Sequence, residues 1–104
     1  MEPAESAVLP GGVARTHHIE GGGIGSWPPL LRAENFDEVL TVPDADAFAM
    51  ARLAARNEGI FSGLSTGANL AAALQIANRL GAGGRVVTIQ VDSGLKYLNG
   101  PLYR

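Results

Sequence analysis

Asp92-Ser93-Gly94 is the triplet in this chain best suited to holding a ligand. It follows a nearly continuous apolar run at 85–91 (Arg-Val-Val-Thr-Ile-Gln-Val). Open α/β sheets place ligands at the carboxyl ends of their strands. A serine hydroxyl there can donate or accept a hydrogen bond. The plainer reading is that Asp and Ser end strands and Gly makes turns. A second stretch, Gly-Leu-Ser-Thr-Gly-Ala at 63–68, has the form of a helix start. Free backbone N–H groups at such a start favour an anion. Ser or Thr before helix formers is equally the ordinary N-cap signal, here Ser65 or Thr66.

The other reactive residue types offer less. Gly21-Gly22-Gly23-Ile24-Gly25 fails the dinucleotide fingerprint, because Ser26 stands where its third glycine belongs and no strand precedes it. It fails the phosphate-loop pattern too, since no Lys-Ser or Lys-Thr follows. A tight turn needing positive φ explains it. His17 and His18 are adjacent, and neighbours in sequence rarely converge on one metal, so no metal site is expected. Arg52 and Arg56 are like charges four residues apart, which indicates a solvated face. Lys96, the only lysine, falls three residues past Ser93. Its plain reading is an exposed helix residue. Trp27 beside Pro28-Pro29 reads as packing or a subunit surface.

These residues need elements to position them. Pro3 and Glu5 suggest a short helix over 1–10, stopped by Gly11-Gly12. Residues 11–30 look irregular, with one helical turn at 30–34. Glu-Val-Leu-Thr-Val at 38–42 reads as a strand closed by Pro43. Asp44 caps a helix to about Asn57, with Ala47, Phe48, Ala51, Ala54 and Ala55 on one face and Gly59 as its C′ residue. A second helix to about Leu80 is apolar over more than half its girth, so it should be well buried. Residues 85–91 make the best strand, central and parallel. The order β, α, α, β gives α/β, with a right-handed crossover between parallel strands.

Two or three strands make a poor parallel sheet, which needs both faces covered. The expected fold is therefore a partial open parallel sheet with flanking helices, with residues 1–104 an incomplete part of a larger domain. A net charge of −2 and no basic patch argue against nucleic acid. No cysteine is present, which removes disulfides and thiolate chemistry. No apolar stretch approaches the roughly 18 residues of a membrane helix, and no secretion signal is visible at the N-terminus. A cytoplasmic protein is the default.

The stretches 59–68 and 92–98 together resemble the C-terminal third of the cysteine synthase and cystathionine beta-synthase family, fold type II pyridoxal phosphate (PLP) enzymes. The family has Gly-Ile-Ser-Ser-Gly-Ala where this chain has 63–68. It has a Pro-Asp-Ser or Ser-Ser-Gly turn leading to Arg-Tyr-Leu, where this chain has Val91-Asp92-Ser93-Gly94 and Lys96-Tyr97-Leu98. His18-Ile19-Glu20-Gly21 is similar to the start of a His-Lys-Ile-Gln-Gly-Ile-Gly stretch that lines the family's pocket. Residues 2–9 are similar to its Glu-Pro-x-x-Ser-x-x-Leu.

The resemblance implies PLP as cofactor and Ser93 as the hydrogen-bond partner of its pyridine nitrogen. It implies β-replacement or β-elimination on serine, O-acetylserine or cysteine, in cysteine biosynthesis, by a complete protein that is a homodimer. It also implies that Lys96 is not the Schiff-base lysine, because the family's lies near the N-terminus. That lysine and the phosphate loop have no counterpart in 1–104. The chain alone is expected to be inactive and to carry no catalytic residue. Two other readings stand beside this one: a non-catalytic module that pairs with a full-length homologue, and a small nucleotide-binding α/β domain.

Overall fold

A computed structural model describes all 104 residues. Two helices dominate it. Helix α1, Asp44–Glu58, begins with Asp44 and Asp46 in its first turn, where carboxylates complement the positive end of the helix dipole. It ends at Gly59, whose φ of 69° is the left-handed cap that a side chain would disfavour. The Gly59 and Ile60 N–H groups both return to the Ala54 carbonyl. Helix α2, Leu64–Leu80, follows after five residues. The two pack through small side chains, with Ala47, Ala51, Ala68 and Ala72 all buried. Gly67 lets the backbones meet: a Cβ there would lie 2.9 Å from the Ala51 nitrogen and closer still to the Ala47 carbonyl oxygen.

A two-stranded parallel sheet lies beside the helix pair. Strand β1 is Glu2–Pro3 and β2 is Thr41–Val42, with Glu2 opposite Thr41 and Pro3 opposite Val42. The expected helix over 1–10 is replaced by β1, a 3₁₀ turn at Ala4–Ser6 and further turns to Gly11. Pairing to a distant segment overrides the local preference. Glu2 N donates to the Leu40 carbonyl at 2.9 Å, and Glu2 Oε2 accepts from Leu9 N at 2.9 Å. One core joins sheet to helices: Ile19, Val42, Ala47, Ala51, Leu64, Ala68, Ala72 and Leu102. No helix is long and apolar enough to cross a membrane.

The segment 85–91 departs from expectation. It forms no ladder, so the parallel pair is β1 with β2, joined through 4–40 without an α-helix. Its own ties are few. Asn69 Nδ2 donates to the Ile89 carbonyl at 3.3 Å, and Val91 N donates to Thr66 Oγ1 at 2.9 Å. Val87, Ile89 and Val91 are 86%, 69% and 54% exposed. The run has the residues of a central strand and, within this chain, no strand to pair with. Helix α2 is correspondingly less buried than its wheel suggests. Leu74 and Leu80 lie on its exposed side.

Arg52 and Arg56 are both exposed, as expected, but Arg52 also has partners. Its Nε and Nη2 donate to the Leu102 and Pro101 carbonyls at 2.6 and 2.7 Å, and its guanidinium lies 5.6 Å from the centre of the Phe48 ring. This fastens the C-terminal residues across α1 and seats Leu102 in the core. Tyr103 adds a second anchor, its hydroxyl donating to the Ser62 carbonyl at 2.5 Å.

Candidate functional site

Ser93 stands where 85–91 gives way to a 3₁₀ helix, Gly94–Tyr97. Its backbone is extended (φ −90°, ψ 145°) and the residue is exposed. Its Oγ accepts from Leu95 N at 3.3 Å, which uses one lone pair and leaves the hydroxyl proton for another partner.

The neighbours of Ser93 are held more firmly than Ser93 is. Asp92 Oδ1 accepts from Gly63 N at 2.9 Å, and Oδ2 accepts from the Tyr97 hydroxyl at 2.6 Å. Gly94 N donates to the Phe61 carbonyl at 3.0 Å, and a Cβ at 94 would lie 2.6 Å from the Phe61 ring. Burial pushes the Tyr97 phenol well above its ordinary range, and the hydrogen bond and charge of Asp92 add to the effect.

The start of α2 does not behave as its sequence suggests. Gly63 is the N-cap residue, and no side chain caps the helix. Ser65 Oγ donates instead to the Glu20 carbonyl at 2.7 Å, while Thr66 Oγ1 receives Val91 N. Gly63 N, at this helix end, is taken by Asp92. The anion at this helix start is thus the protein's own carboxylate.

Lys96 lies over the Tyr97 ring at 5.4 Å and its Nζ pairs with the Glu20 carboxylate. The hydrogen bond that Lys96 donates to Glu20 holds the ammonium above its ordinary value. Lys96 is therefore an exposed, ion-paired amine that links the glycine-rich loop to the 3₁₀ helix. In that loop Gly21, Gly23 and Gly25 take φ of 78°, 53° and 80°. His17 Nε2 lies 3.0 Å from the Gly23 carbonyl, whereas His18 makes both of its contacts with Asp44 Oδ2. The two histidines thus serve different partners. No α-helix follows the loop before Asp44, so it lacks the strand–loop–helix setting that a dinucleotide site requires.

The largest groove, about 460 Å³, is elsewhere. Met1, Leu40, Ala72, Ala73, Ile76 and Val87 line it, between β1, α2 and the unpaired run. It has the character of a missing strand position rather than of a ligand pocket. Sequence reasoning singled out Ser93 and did not anticipate the contacts that join Asp92 to Tyr97 and Gly63. No periodicity marks a contact between 92 and 97 or across 29 positions. A hydroxyl-bearing ring after an Asp-ended strand was the one available signal.

Ser93 offers a free hydroxyl proton at the carboxyl end of an apolar run, and such a group suits an unprotonated pyridine nitrogen of PLP.

Comparison with known proteins agrees in sequence and in structure. The model of the family described as "Pyridoxal-phosphate dependent enzyme" matches residues 1–92. A cysteine synthase of Staphylococcus aureus is 42% identical over 103 residues, covering 99% of this chain and 33% of that protein. A solved cysteine synthase from Entamoeba histolytica superposes with a TM-score of 0.93 at 38% identity, covering 98% of this chain and 30% of that one. An O-acetylserine dependent cystathionine beta-synthase from Helicobacter pylori gives a TM-score of 0.87 at 38% identity, over 99% of this chain and 33% of that one. The chain thus spans about one third of the length of the relatives it matches. A match over residues 1–92, with the same α/β arrangement in solved relatives, establishes that this chain belongs to the pyridoxal-phosphate dependent enzyme family, among its cysteine synthase-like members.

Proposed function

We propose that residues 1–104 form the C-terminal part of a PLP site that carries out β-replacement or β-elimination on serine, O-acetylserine or cysteine. Ser93 is the one cofactor contact assigned in this stretch, through its hydroxyl to the pyridine nitrogen. The observation that carries the reading is the free Ser93 proton at the end of 85–91, in a chain of this family. Bound PLP supplies an electron sink for the amino acid's α-carbon. A hydroxyl partner leaves its ring nitrogen unprotonated, where a carboxylate would favour the pyridinium. That weaker sink suits chemistry at the β-carbon.

The amine that tethers the cofactor comes from outside this stretch. The one lysine here is paired with Glu20. The bare outer face of 85–91 supports the same view, because a central strand needs cover on both faces. On this reading the 104 residues alone do not turn over an amino acid, and the complete protein is a homodimer. Docking of the chain as a non-catalytic module onto a full-length homologue would use the same bare face.

The test mixes the purified chain with the N-terminal two thirds of the S. aureus cysteine synthase, PLP, O-acetylserine and sulfide. Cysteine should form in the mixture and not with the chain alone. Turnover by the chain alone would refute the reading, as would a folded mixture that binds PLP and makes no cysteine. Co-purification with intact synthase, without complementation of the truncated one, would favour the docking module.

A further inference from the structure

We infer that Asp92 and Tyr97 are positioning residues for Ser93, acting as a clamp that fixes where its hydroxyl points. The functional meaning of the clamp rests on the reading of Ser93 proposed above; its existence does not. Ser93 itself is exposed, and its one side-chain bond is the 3.3 Å contact from Leu95 N. Its place is set by what flanks it. The Asp92 carboxylate spans two elements, taking Gly63 N from the head of α2 and the Tyr97 hydroxyl from the end of the 3₁₀ helix, at 2.9 and 2.6 Å. One bond ties the turn back to the helix pair and the other closes it on itself.

Glycines make the fit tight. A Cβ at Gly63 would run into the Tyr97 ring and Asp92 Oδ1 together. A Cβ at Gly94 would run into the Phe61 ring. Gly94 N and Val91 N add backbone anchors to Phe61 and Thr66. Every residue from 91 to 94 except Ser93 therefore donates to or accepts from α2 or the link before it. Burial is the main cause of the raised Tyr97 phenol, and the Asp92 contact adds to it, since the neutral hydroxyl must stay a donor to Asp92.

The test needs no cofactor. Amide hydrogen exchange and backbone ¹³C shifts are measured by NMR on the full chain and on its Tyr97→Phe and Asp92→Asn variants. Tyr97→Phe keeps the ring and loses the donor. Asp92→Asn keeps one oxygen for Gly63 N. Exchange at Gly94 and Leu95 should speed up about tenfold or more, the weight of one charge-assisted hydrogen bond. The Ser93 Cα and Cβ shifts should leave their extended values. Ala51 and Ala54, in the α1 core, should be unmoved, which a general loss of stability would not allow.

Asp92→Asn should retain Gly63 protection and lower the alkaline ionisation of Tyr97. Unchanged exchange and unchanged Ser93 shifts in both variants would overturn the clamp. Should the variants fail to fold, alkaline titration of the unaltered chain decides. Tyr97 must ionise above the ordinary tyrosine range, and ionisation within that range overturns the inference. In the assembled protein, loss of PLP retention in Ser93→Ala tests the cofactor reading separately. If retention persists while Tyr97→Phe loosens the turn, that reading falls and the clamp stands.

Discussion

Replacing Gly67 by alanine separates helix propensity from helix packing, because the two predict opposite signs. In an isolated helix, Gly→Ala stabilises by about 0.8–1 kcal/mol. Here the added Cβ would sit 2.9 Å from both the Ala51 nitrogen and Ala51 Cβ, and closer to the Ala47 carbonyl oxygen, where ordinary contact begins near 3.4 Å. Two of these three atoms are backbone, so no rotamer change relieves the clash. The helices must part by half an ångström or more along a seam made of Ala47, Ala51, Ala68 and Ala72. Overpacking of this kind costs about 1–3 kcal/mol, and the seam supplies half of the core residues, so the upper end applies. Set against the propensity gain, the net effect should be a loss of about 2 kcal/mol. Urea unfolding followed by helical circular dichroism measures it. Ala49→Gly, on the exposed side of α1, serves as the control and should lose about 1 kcal/mol through propensity alone. A Gly67→Ala protein more stable than the parent would refute the packing argument.

Three further outcomes follow from the same structure. Arg52→Ala removes both bonds to the Leu102 and Pro101 carbonyls and should cost about 1–2 kcal/mol, with carboxypeptidase trimming the released end faster; an unchanged digestion rate would show that the tail is held otherwise. Gly94→Ala should be more damaging than its exposed surroundings suggest, by about 1–3 kcal/mol, because its Cβ meets the Phe61 ring, and equilibrium unfolding would reveal a neutral effect if the turn can shift. The third concerns pH. Tyr97 ionises at higher pH in the folded chain than in the unfolded one, so the fold binds the extra proton. Its contribution is fully present below about pH 10 and is lost as the pH rises above that value. Melting temperature measured up the alkaline limb should fall, and Tyr97→Phe should flatten the fall; an equal slope in both proteins would remove Tyr97 from the account.

The helices were legible because their signals are local. The alanine face and Gly59 mark α1, and the structure returns Asp44–Glu58, although Asp44 is not its cap: Pro43 is the N-cap residue, and the Asp44 carboxylate is taken by His18 rather than by the helix end. The Asp92-Ser93-Gly94 turn was legible for the same reason. What escaped depends on distant partners. Glu2 and Pro3 join a sheet because residues 40–42 lie alongside, which no pattern within 1–10 expresses. The run at 85–91 has a strand's composition but no ladder, since composition cannot supply a neighbour. Ser65 and Thr66 have the chemistry of helix caps, yet their hydroxyls serve Glu20 and Val91 across the fold. The spacing of Arg52 with Arg56 suggested solvent and both are exposed, but it gave no sign of the Pro101 and Leu102 carbonyls that Arg52 binds.

The central claim is that Ser93, and not Lys96, is where this stretch meets the cofactor. The most direct measurement is PLP retention and its visible absorbance in the chain complemented with the missing two thirds of a cysteine synthase, compared among Ser93→Ala, Lys96→Ala and the parent. Ser93→Ala should weaken retention and shift the band, while Lys96→Ala leaves both as they are. A band that survives Ser93→Ala unchanged and disappears with Lys96→Ala would contradict the account.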